Sequence, residues 1–242
     1  MKRRTLVPLI FSLIVTVIAS GVIHYTLTMY FIRQAKDNIT NILLFNKELT
    51  LYIKKIVEPA VFEAIRDGRI SKDFYDPKLL SVSHTLRSMH ELNNEIREKR
   101  NLVTVYYKLA SNNPRNPVNK ADEQEAKLIK FFNENPDIKE YEKLVEVNGK
   151  NFLYYAKPFP RNNGYCLGCH SIPEKAPLNM RKLYPQGGGF YEKFGEIRGI
   201  ESLRSPIEYP GYMTLMVTGS AGSGLLTMLA IFFFRRLFRA DI

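Results

Sequence analysis

From Arg33 to Arg66 the apolar positions follow a helical rhythm. Ile42, Leu49 and Ile56 stand seven residues apart, with Phe45 and Tyr52 between them, which is the spacing of a helix face packed against another helix. The stripe is expected either to pack on its own domain or to pair with a second protomer as a stalk. Pro59 argues against a long uninterrupted coiled coil, and Gly68 is a stop signal. Val82, Leu86, Met89 and Ile96 predict a second helix over 82–98, with these four on one face. "LVTVYYKLA" at 102–110 is rich in β-branched and aromatic residues and predicts a strand. "NNPRNPVNK" reads as a loop, with Asn119 placed to cap the acidic-started helix "ADEQEAKLIKFF". "LVEVNGKNFLYY" alternates on both sides of Asn148-Gly149, a type I′ hairpin signal. "GEIRGIESLRSPI" at 195–207 predicts the last strand. Helices first and a small antiparallel sheet afterwards make an α+β domain.

Two uncharged runs flank this domain, Thr5–Ile32 and Tyr209–Phe234. Each exceeds the roughly 20 apolar residues that cross a bilayer as a helix. Small residues four apart in "GSAGSG" at 219–224 allow close helix approach in lipid. Lys2, Arg3 and Arg4 precede the first run, and Arg235, Arg236 and Arg239 follow the second. Because Lys and Arg favour the cytoplasmic side, residues 1–4 and 235–242 are expected inside. Residues 5–32 and 209–234 are expected to span, and 33–208 to lie in a periplasm or its equivalent, outside a bacterial inner membrane. Val17-Ile18-Ala19 resembles a signal-peptidase site, but the apolar run continues well past it, so an uncleaved anchor is expected. His24 has no second membrane histidine to pair with and is expected to serve a helix–helix hydrogen bond or an interfacial position.

The net charge of +11 does not indicate nucleic-acid binding. Six basic residues and one acidic residue belong to the terminal flanks. Elsewhere acids and bases are intermixed, as in "IREKR" and "KADEQEAK", which reads as a solvated surface.

The candidate chemistry lies in "GYCLGCHS", residues 164–171, which holds both cysteines of the chain. Zinc, a redox dithiol and covalent haem all use such clusters. Structural zinc wants four ligands, and this cluster offers three. Two cysteines separated by two residues suit a redox pair, but neither option accounts for His170 directly after Cys169. On a helical turn Cys166, Cys169 and His170 stand at i, i+3 and i+4, on one face. Both sulfurs then reach one edge of a porphyrin while the imidazole rises to the iron, the Cys-x-x-Cys-His pattern of one covalently bound haem c.

"KLASNNPRNPVNKADEQE", "GYCLGCH" and "GEIRGIESLRSPI", in this order, resemble the periplasmic c-type-haem, PAS-like sensor domains that precede chemoreceptor and kinase modules in many bacteria. The resemblance runs from about residue 80 to 207. It implies a PAS-like sheet, haem on Cys166 and Cys169, His170 as an axial ligand, and Arg115-Asn116-Pro117 in the pocket wall; by its own composition that tripeptide reads as a plain turn. Members of the family place an output domain after the second membrane helix. Here eight residues follow Phe234, so a signal is expected to pass to a separate partner.

For the other face of the iron the candidates are His84, Met89, His90 and Met180. Met89 lies on the apolar stripe and reads as core, and His90 stands about 100° round from it. Met180 follows the motif by ten residues, within reach of a loop. The resemblance implies that "SVSHTLR" supplies the distal ligand through His84; an open site with water is the remaining option. Two functions fit. One is a membrane-anchored sensor of redox state or a diatomic ligand, signalling to a separate membrane protein and possible as a homodimer. The other is an electron-transfer haem subunit of a respiratory membrane complex. No positioned acid–base pair, nucleophile motif or phosphate loop points to an enzyme.

Overall fold

The computed structural model describes residues 3–185, 187–207 and 211–237. Lys2 and Arg239, and Tyr209 at the expected start of the second span, lie outside the described residues. Two compact units divide the chain: Met1–Gln34 with Ile207–Ile242, and Ala35–Pro206.

In the first unit, the start of α1 (Arg3–Tyr52) meets α8 (Tyr212–Leu237). A Cβ built on Gly219 would lie 3.3 Å from Ile23, and one on Gly224 would lie 3.3 Å from Thr16. The glycines thus let the helices approach closely. Among the described residues, Ile10–Arg66 and Met213–Phe233 are long and apolar enough to cross a membrane.

The second unit is α+β. Past Tyr52 the long helix continues as a π-helical stretch, Ile53–Val57, and then as α2 (Glu58–Arg66). The π stretch is how it passes Pro59. The Glu58 N–H bonds Ile53 O, five residues back, and this wider turn relieves the crowding that a proline ring imposes on the preceding turn. Gly68, at φ +72°, closes the helix. α3 (Pro77–Leu80) and α4 (Val82–Lys99) follow, with Ser81 capping α4 by accepting the His84 N–H at 3.2 Å.

β1 (Tyr106–Ser111), β2 (Tyr141–Val147), β3 (Lys150–Pro158) and β4 (Gly199–Pro206) form one antiparallel sheet in the order β1-β4-β3-β2. Asn148 (φ 52°) and Gly149 (φ 73°) make the hairpin turn, and Val147 pairs with Lys150. The strands pair in continuous register without a bulge, so successive side chains take opposite faces. Tyr154, Ala156, Ile200 and Ala110 face α5 (Glu123–Glu134), packing on Leu128, Ile129 and Phe132. The opposite face receives α4 and the domain part of α1, through His90 on Tyr107 and Asn46 on Glu201.

Several expectations are corrected. The outer-domain stripe is rotated: Phe45, Tyr52 and Ile56 are exposed, while Ala35, Ile39, Asn46 and Ile53 form the buried seam. On α4, Met89 and Ile96 are exposed and the inward face carries Leu86 and His90. His90 Nε2 donates to Val105 O at 2.7 Å and Asn94 to the same oxygen at 3.0 Å. Residues 102–105 precede the strand and need these donors for their carbonyls, so β1 begins at Tyr106 rather than 102. β4 begins at Gly199 rather than 195. The cap of α5 is Asp122, not Asn119. Its carboxylate accepts the Glu125 N–H at 2.8 Å while Glu125 accepts the Asp122 N–H at 2.9 Å, a complete capping box. Asn119 instead lies in a short 3₁₀ turn, Pro117–Asn119.

Candidate functional site

The "GYCLGCH" segment folds as the short helix α6, Gly164–His170. Asn163 starts it, its side-chain oxygen accepting the N–H groups of Tyr165 at 3.0 Å and Cys166 at 3.2 Å. The helix therefore places Cys166, Cys169 and His170 on one face. Both thiols are free and half-buried. His170 donates Nδ1–H to the Gly189 carbonyl at 2.8 Å, and Glu192 Oε1 lies 3.3 Å from the same nitrogen. Two acceptors on Nδ1 fix the ring and its tautomer and leave Nε2 as the free lone pair, the usual arrangement of a metal-ligating histidine. Burial holds the imidazole below its usual range, with Glu192 acting in the opposite sense, and burial pushes the Cys169 thiol up.

The loop that carries Gly189 is locked from the other side. Asn113 donates to Phe190 O at 2.8 Å and accepts the Gly189 N–H at 3.2 Å. Arg115 Nη2 donates to Cys169 O at 2.7 Å and to Gly189 O at 3.3 Å, and its guanidinium lies 5.1 Å from the Phe190 ring centre. Arg115 thus joins α6 to the glycine loop. Asn116 does something else: its side chain accepts the Val118 N–H at 3.2 Å and caps the 3₁₀ turn, as the plain-turn reading expects.

Met180, on α7 (Leu178–Leu183), is buried with Ala176 and Phe190, and Cys169, Tyr75 and Tyr184 pack against this cluster. Tyr75 lies beside Ser81, the cap of α4, which puts the His84 end of that helix next to the cluster. His84 is half-buried, and its Nδ1 accepts from Arg87 at 3.3 Å. His90 is committed to Val105, and Met89 stands on the exposed side. The structure therefore groups Arg115 and Met180 with Cys169 and His170, puts the His84 end of α4 next to them beside Tyr75, and gives Met89, His90 and Asn116 other roles.

Sequence reasoning missed two groups. One is the Asn113–Gly189–Glu192 frame around His170; the "GGG" run at 187–189 was its only signal. The other is the buried Glu58 carboxylate, which accepts from Tyr165 OH at 2.8 Å and from Lys54 at 2.7 Å. It joins the long helix to α6 beside Cys166. Among the described residues, no group of three or more His, Cys, Asp or Glu side chains is disposed to hold a metal ion by itself.

An α+β domain with a free Cys-x-x-Cys-His turn and an oriented histidine defines a class of haem-site scaffold. A family model for the Tll0287-like proteins matches residues 28–206, and the chain belongs to the Tll0287-like family. The crystal structure of the cyanobacterial heme protein Tll0287 is similar in fold, with a TM-score of 0.50 at 13% identity, covering 73% of this chain and 97% of that one. No curated protein matches the chain.

Proposed function

We propose that this protein is a membrane-anchored monohaem c-type cytochrome of PAS-like form that senses redox state or a diatomic ligand and passes the signal to a separate membrane partner. The observation that carries the haem reading is the His170–Gly189 hydrogen bond. It engages Nδ1 and leaves Nε2 available on a histidine that shares its helix face with Cys166 and Cys169. The solved relative is a heme protein, which supports the same cofactor here. A haem bound there would supply a redox-active iron able to take a second ligand.

The chain's own residues then have distinct tasks. Cys166 and Cys169 would hold the group by thioether bonds, and His170 by its imidazole. Arg115 ties the carbonyl of Cys169 to the glycine loop, so the attachment helix cannot shift without that loop. His84 is the proposed distal ligand. Its Nδ1 accepts from Arg87, which leaves the ring proton on Nε2; ligation through Nε2 requires Arg87 to let go. A ligand with such a competitor is displaceable, which suits sensing better than electron transfer.

The two apolar helices and their basic flanks support anchoring in a bacterial inner membrane with the haem domain outside. Wild type matured with a periplasmic cytochrome c apparatus should keep haem on a denaturing gel, and Cys166→Ala/Cys169→Ala should lose it. A wild-type protein without stain under these conditions would end the c-type reading.

A further inference from the structure

A cleft of about 330 Å³ opens between α1 and the β2–β3 hairpin, on the sheet face opposite α5. It shares no residue with the site described above. Its floor is apolar: Ile39 and Leu153 are each only 2% exposed, and Leu43 lines it beside them. Its rim carries Lys36, Lys47 and Lys157 with Glu140 and Glu142. Lys36 pairs with Glu142 at 3.0 Å. Glu140 accepts the Tyr155 hydroxyl at 2.8 Å. Two lysines remain. Among the described residues, neither Lys47 on α1 nor Lys157 on β3 makes a hydrogen bond or ion pair. Lys157 stands opposite its register partner Glu201 and offsets part of that residue's charge, but forms no ion pair with it; the Glu201 carboxylate accepts from Asn46 and Tyr107.

We propose that this cleft binds a soluble organic acid, a monoanion with a compact apolar body, whose carboxylate is held by Lys47 and Lys157. The volume lies at the small end of the roughly 300–1,000 Å³ typical of small-molecule sites, so a compact body fits and a long acyl chain overruns it. The apolar floor supplies burial for the body, and the two ammonium groups that form no ion pair supply the complementary charge. The occupant would bridge Lys47 on α1 and Lys157 on the sheet. It would therefore bias the same helix that continues into the candidate membrane span. The proposal stands whether or not the haem reading does.

The test uses the full chain in nanodiscs of zwitterionic lipid, with empty discs subtracted, and 4-butylbenzoate as the probe. Its uncharged counterpart is 4-butylbenzamide, and hexadecanoate is the long-chain arm. Saturation-transfer NMR should show saturable binding of the benzoate, at least about tenfold weaker binding of the amide, and no competition by hexadecanoate. Lys47→Gln/Lys157→Gln should weaken the benzoate at least about tenfold, the loss expected for a charged hydrogen bond. Both lysines are exposed, and circular dichroism with a cooperative melt of the variant without probe checks that the fold is kept. Equal binding of acid and amide, binding unaffected by the double variant, or no saturable binding above empty discs would each overturn the proposal. Displacement by hexadecanoate would assign the cleft to lipid instead and overturn it too.

Discussion

The Gly189 carbonyl oxygen lies 2.8 Å from Nδ1 of His170, so a glycine nineteen residues downstream sets the orientation of the imidazole. The position of that oxygen depends on how closely the loop sits on Pro114 and Arg115. Gly189 has φ +73°, and a Cβ there would stand 3.1 Å from Arg115 Cβ. A Cβ on Gly188 would collide with the Pro114 carbonyl oxygen.

Gly188→Ala should therefore lift the loop off Pro114. Overpacking against backbone costs about 1–3 kcal/mol, or a fall in melting temperature of roughly 2–4 °C per kcal/mol for a chain of this size. Thermal melting of the haem-loaded protein is the measurement. A variant that melts with wild type would show that the loop has slack.

The reasons some features were legible and others were not are specific. The hairpin was legible because Asn148-Gly149 both require positive φ, and strict alternation on each side fixes the register. The helices over 33–66 and 82–98 were legible as helices, but their inward faces were not. Hydropathy ranks Phe45, Tyr52 and Ile56 above Asn46 and Glu58, yet Asn46 and Glu58 are the buried ones, because Asn46 meets Glu201 and Glu58 meets Tyr165 and Lys54. A polar residue buried with its partner leaves no trace in an apolar period. The same holds for His90, whose partner is the Val105 carbonyl ahead of β1. The Cys-x-x-Cys-His motif was legible because its three residues are local. Its frame was not, since Asn113, Gly189 and Glu192 come together around His170 only through loop closure.

His84 gives a spectroscopic prediction. If it is the displaceable distal ligand, His84→Ala should change the low-spin absorption spectrum of the loaded protein and strengthen carbon monoxide binding to its reduced form. Arg87→Ala, which removes the competitor for Nδ1, should act in the opposite direction and weaken carbon monoxide binding. An unchanged spectrum in His84→Ala would remove His84 and leave Met180, packed with Cys169, as the protein ligand to test.

Glu201 offers a prediction about pH at the joint between α1 and the sheet. Its carboxylate accepts from Asn46 Nδ2 at 3.0 Å and Tyr107 OH at 3.2 Å. Burial pushes Glu201 above its ordinary 4.5, and the hydrogen bonds from Asn46 and Tyr107, with the charge of Lys157, recover only part of that shift. The folded protein therefore holds this proton at pH values where the unfolded chain has released it. From 4.5 up to the raised folded value, stability falls as pH rises, and above that value the full cost of the buried charge is present. Glu201→Gln keeps an oxygen acceptor for both donors and removes the charge. The melting temperature of Glu201→Gln minus that of wild type should be smallest near about pH 4 and should grow toward about pH 8, where the variant is the more stable protein. A difference that stays flat across this range, or a variant less stable than wild type at the alkaline end, would show that Asn46, Tyr107 and Lys157 compensate the charge completely.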